Sequence, residues 1–209
     1  MTTIKRIAFR PLLALCLVAG APTLVQPAAA QDQLLEQWGI DAGALLGDSR
    51  QLLLRAPDAS VDGLFQAIHA GSQTPQDARV MCELFDPDAE RTVDGYNGIA
   101  SQLSQASRVR FADAVADFLV TSAQSPPQPY DPALAQQALK AAGVRAAILN
   151  DGFLAGLNGS DHPARCRSVA ALLDALRTRP LAERASVTRF LLSQGLDYLA
   201  LAGAPPASR

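Results

Sequence analysis

Residues 158–166 read NGSDHPARC. Asn158-Gly159 is a turn dipeptide, and Ser160 or Asp161 can accept hydrogen bonds from the free amides of a helix that begins at His162-Pro163. Cys166 then stands one helical turn after His162, on the same face. The stretch admits two readings: a catalytic or metal-binding corner, or a helix start carrying a cysteine needed for a cross-link. The second is preferred, because it explains Pro163, the cap and Cys166 together. It also decides the fold, since Cys166 needs a partner elsewhere in the chain.

That partner is Cys82. The third cysteine, Cys16, falls in a segment with the layout of a secretory signal. Lys5, Arg6 and Arg10 form a positive front, Pro11 to Ala21 an apolar stretch, and Ala28-Ala29-Ala30 a small-residue end. Residues 1–30 are therefore expected to be a signal peptide, and residues 31–209 a single helical domain. Removing 30 of the 209 residues takes away three cations and no anions, which carries the formal net charge from −2 to −5. Two cysteines are left in an exported chain, and thiols that meet an oxidising compartment pair. A Cys82–Cys166 disulfide closes a loop spanning 84 positions and ties the second half of the domain to the first.

The mature segment is expected to be all-α, a compact multi-helix bundle of about eight helices. Ala, Leu, Gln and Arg dominate, and no stretch alternates apolar with polar residues as a half-buried strand would. Ser60 precedes Val61, Leu64, Phe65 and Ile68, an i, i+3, i+4, i+7 stripe. Thr74-Pro75 pairs an N-cap with proline in the first turn, and Asp77 is placed to cap in return. Asp131-Pro132 repeats the device, Arg179-Pro180 marks another helix start, and Gly143 is expected to end the helix that Pro132 begins. Helical segments are expected at 32–46, 49–55, 60–71, 75–85, 89–105, 108–123, 132–142, 145–157, 162–177 and 181–201. Residues 145–157 and the last segment are apolar all round, so both are expected at the centre, with Gly152 and Gly156 as points of close approach. SPPQPYDP, Ser125 to Pro132, is the longest break.

Acidity and the lack of clustered cations argue against nucleic acid as a partner. No mature stretch reaches the roughly 20 apolar residues of a spanning helix. The Asp86, Asp88, Glu90 spacing fails as a calcium loop, because Pro87 interrupts it and Arg91 stands where the glycine belongs. His69 reads as a surface residue near a helix C-terminus. No phosphate loop, dinucleotide fingerprint, nucleophile elbow or paired metal motif occurs, so neither a cofactor nor a metal is expected. The leading functional reading is an exported, non-catalytic binding or interaction module of a bacterial-type cell envelope. It would be periplasmic, or extracellular, and would take a protein or a small apolar ligand. The alternative is an envelope hydrolase with Asp151, Asp161, His162 and Arg165 converging where the 145–157 and 162–177 helices meet.

The disulfide reading has a direct check. A thiol assay on the denatured chain lacking residues 1–30 is expected to find no free thiol before reduction and two after it. Free thiols at the outset would reopen nucleophilic chemistry at Cys166.

Overall fold

The computed structural model describes residues 42–86 and 93–202. The expected signal segment, the first part of the 32–46 helix, and Asp88 and Glu90 lie outside the described residues. Within them the chain is all-α. The helices are α1 (Ala42–Arg55), α2 (Asp58–Ser72), α3 (Pro75–Cys82, followed by a 3-10 turn at Glu83–Phe85), α4 (Val93–Gln102), α5 (Gln105–Gln124), α6 (Pro132–Leu149), α7 (Phe153–Asn158), α8 (His162–Arg177) and α9 (Leu181–Ala202).

Helix α2 is the axis of the bundle. It packs against α5 and α9, and more lightly against α3 and α8. Its stripe touches three apolar clusters in turn. Val61 joins Ala56 and Ala185, with Phe118 laid against them. Phe65 meets Ala142, Ala146, Phe153, Ala175, Leu176 and Val187. Ile68 packs on Val80, Met81 and Leu103. Complete burial of a Val or Phe side chain is worth roughly 1.5–3 kcal/mol each, so one stripe stabilises contacts with most of the molecule.

Residues 145–157 are not a central helix. Helix α6 runs straight through Gly143 and ends at Leu149, and Gly152, at φ 78°, turns the chain before α7. A left-handed turn suits a residue without Cβ. The apolar pattern is thus split between two helices. Ile148, Leu149 and Leu154 are 76%, 65% and 61% exposed; of the large side chains in 145–157, Phe153 is buried and Leu157, partly buried, packs against the same cluster. The buried row of α6 is Ala135, Ala142 and Ala146, whose small side chains let α6 pack closely on α8 and α9. Gly143 does not stop the helix; a Cβ there would meet nothing within 4 Å, so it occupies the open side. Gly156 is a close approach as expected, because a Cβ would sit 2.7 Å from the Ala164 carbonyl and against Ser168, whereas at Gly152 it would meet nothing.

Buried polar groups join these helices. Arg189 on α9 is 1% exposed and donates to the carbonyls of Leu53 (3.1 Å) and Ala56 (2.6 Å) where α1 ends, and pairs with Asp58 at the start of α2 (3.1 Å). A cation at a helix C-terminus satisfies carbonyls that have no intrahelical donor. Arg184 grips Asp62 through two bonds of 2.7 and 2.8 Å. His69 is not on the surface: it is 5% exposed, and its Nε2 lies 2.8 Å from Asp174 Oδ1, across the α2–α8 contact. The Ser125–Asp131 break is strapped down, with Gln128 N–H donating to the Leu54 carbonyl and Arg55 to the carbonyls of Ser125 and Ala123.

Thr74 occupies the N-cap of α3, but its hydroxyl donates to Asp77 (2.9 Å) instead of accepting from the helix. Asp77 does not cap in return. It is 1% exposed and accepts from Ser104 N–H and Oγ (both 2.7 Å) and from Ser107 Oγ (2.6 Å), so it secures the first turn of α5. The Ser104 amide, then the Ser107 hydroxyl, hold its carboxyl far below the usual carboxylate range. Asp77→Ala is expected to destabilise the fold by about 3 kcal/mol, since it strands buried donors. A depressed native pKa means that the Asp77 contribution is complete above the unfolded value of about 4 and fades as pH falls below it. Denaturant melts of both proteins from pH 7 downward check this: the gap should hold to about pH 5 and shrink below 4.

Candidate functional site

Helix α3 ends at Cys82 and α8 begins at His162, and the fold sets these ends side by side. Asp161 occupies the N-cap position of α8 without a side-chain cap bond, and Pro163 follows in the first turn. One turn on, Cys166 faces Cys82. Their Cα atoms are 5.4 Å apart, within the range a disulfide spans, and the sulfurs are at bonding distance. His162 completes the group. Its Nε2 lies 3.2 Å from Cys82 Sγ and 3.7 Å from Cys166 Sγ, and its Nδ1 is buried without a hydrogen-bond partner.

These residues form one end of an open groove of about 710 Å³ between α3 and α8. Ala78, Met81, Val169, Ala170 and Leu173 make its wall, while Arg79, Glu83, Asp86 and Arg167 stand along it. The volume lies in the usual range for small-molecule sites. Apolar side chains dominate the lining, which suits burial of an apolar ligand more than activation of water.

Of the residues expected to converge, the structure brings together only two. Asp151 and Asp161 line a second cavity, about 660 Å³, on another face of α8 with Ser168 and Phe153. His162 faces the first groove, not this one. Arg165 donates to the Gly159 carbonyl at 2.7 Å, within the turn. The separation follows from the helix itself: positions 161, 164, 168 and 171 form one stripe, and 162, 166, 169, 170 and 173 another. Asn150 and Asn158 donate to the Ala146 and Leu154 carbonyls and so finish helices α6 and α7.

The cluster of Cys82, His162 and Cys166, with one potential ligand atom each and all within 4.8 Å of one another, is the group that reading the sequence missed as a unit. Half of it was legible, because His162 and Cys166 are an i, i+4 pair. Its other half arrives from 80 positions away. No protein-family model matches the chain, nor does any curated protein or solved structure.

The bridge between α3 and α8 also bears on stability. Cys82→Ser combined with Cys166→Ser is expected to lower the unfolding free energy by about 4 kcal/mol, from the loop entropy returned to the unfolded chain. Urea melts of oxidised wild type and the double variant measure it.

Proposed function

We propose that this chain is an exported helical binding module of a bacterial-type cell envelope, which holds a small apolar ligand in the groove between α3 and α8. The observation that carries the reading is the groove itself, of ligand size and mostly apolar, with Cys82 and Cys166 at its end. A site of this kind gains affinity by removing apolar surface from water, and a pre-formed wall spares the cost of ordering it on binding. The layout of residues 1–30 supports export. The hydrolase reading is weaker, because Asp151 and Asp161 line one cavity and His162 another. An acid–base pair needs its members within hydrogen-bond reach of one substrate.

An environment-sensitive apolar dye, anilinonaphthalene sulfonate, tests the proposal on the native protein. Ala170→Trp fills the groove from α8 and is expected to weaken dye binding at least tenfold. Leu191→Gln, in the apolar crevice bordered by α1, α5 and α9, is expected to leave it unchanged. Thermal melts and circular dichroism establish that both variants fold. Dye binding that survives Ala170→Trp and is lost with Leu191→Gln overturns the assignment.

A further inference from the structure

We propose that Cys82, His162 and Cys166 form a reduction-gated binding site for a thiophilic cation of the Zn²⁺ type. The geometry is that of a tetrahedral centre lacking only the opening of the sulfur pair. With metal–sulfur bonds of about 2.3 Å and a metal–nitrogen bond of about 2.0 Å, a tetrahedral ion separates nitrogen from sulfur by roughly 3.5 Å and sulfur from sulfur by roughly 3.8 Å. The imidazole Nε2 already lies 3.2 and 3.7 Å from the two sulfurs. Once the disulfide opens, the sulfurs need only separate for the triangle to reach ligand dimensions.

A second observation points the same way. The Nδ1 atom of His162 is buried without a hydrogen-bond partner, and Nε2 faces only sulfur. Sulfur is a weak hydrogen-bond partner. Nε2 therefore has no strong partner in the oxidised protein, and donating its lone pair to a cation supplies one, while Nδ1 keeps the ring proton. The three residues also line the groove between α3 and α8, so the fourth coordination position opens onto it, as in zinc sites that keep a place for an external ligand. The reading does not depend on a ligand occupying that groove.

The chemistry balances with a dithiol as reductant. Two electrons and two protons pass from the dithiol to the Cys82–Cys166 bond; the S–S bond breaks, two thiols form, and the reductant becomes a disulfide. Zn²⁺ then displaces the two thiol protons, which leave to solvent, and binds two thiolates and the neutral imidazole, whose proton stays on Nδ1. A disulfide oxidant reverses the sequence: it takes two electrons from the two thiolates and two protons from solvent to become a dithiol, the Cys82–Cys166 bond re-forms, and the cation is released. Disulfide and metal are thus alternative staples for the same pair of helix ends.

The test uses the native chain without its first 30 residues, reduced with dithiothreitol and desalted without air. Isothermal titration with Zn²⁺ is expected to show one ion per chain and, from measurements in two buffers, release of two protons at a pH where both thiols start protonated. Zn²⁺ is also expected to raise the melting temperature of the reduced protein and leave that of the oxidised protein unchanged. Co²⁺ should give the thiolate charge-transfer bands and intense visible absorption of a tetrahedral centre. His162→Ala keeps both cysteines; it should reduce affinity at least tenfold and alter the Co²⁺ spectrum. Cys82→Ser should abolish stoichiometric binding. The proposal is overturned if the reduced chain binds Zn²⁺ no better than the oxidised one, if Zn²⁺ fails to stabilise the reduced fold, or if His162→Ala leaves affinity and spectrum unchanged.

Discussion

The meeting of Cys82 with Cys166 is the constraint on which the rest of the molecule depends. It joins the end of α3 to the first turns of α8, two elements otherwise in little direct contact, across a loop of 84 positions. Four of the nine helices described, α4, α5, α6 and α7, lie along the chain between the two cysteines. A covalent link over such a distance removes many open conformations from the unfolded chain. Both cysteines also line the groove between α3 and α8.

The other fastenings are polar, and they compensate for a smooth core. Helix α6 presents a buried row of alanines, and Ala56, Ala67, Ala175 and Ala185 recur at the centre. Alanine faces allow close approach but say little about register, since one methyl resembles another. Arg189 on the α1 carbonyls, Arg184 on Asp62, His69 beside Asp174 and Asp77 on the first turn of α5 are satisfied at one alignment only. Buried charges without good partners are costly, so these pairs penalise every shifted packing.

Helix starts were readable in the sequence because their signals are local. Pro75, Pro132, Pro163 and Pro180 each stand at or next to the start of a helix, and Asp131 accepts from the Ala133 amide as a cap should. The α2 stripe was readable for the same reason. The misreadings arose where a residue's role depends on a distant neighbour. Asp77 has the spacing of a capping partner for Thr74, yet the amide and hydroxyl of Ser104, 27 positions on, claim its carboxylate. His69 has a polar setting along the chain, yet the fold buries it against Phe65 and sets its Nε2 on Asp174 of α8.

The sequence by itself determined the all-α class, most helix boundaries and which two cysteines could meet, since these follow from short-range geometry and from counting. Tertiary structure alone decided which apolar faces are buried, that Gly152 and not Gly143 breaks the chain, and that His162 turns toward the sulfurs while Asp151 and Asp161 face another cavity. The physical reason is that a helix has a fixed twist but no fixed outside. The neighbours that pack against it choose the face that leaves water, and they come from parts of the chain whose distance along the sequence carries no record of their distance in space.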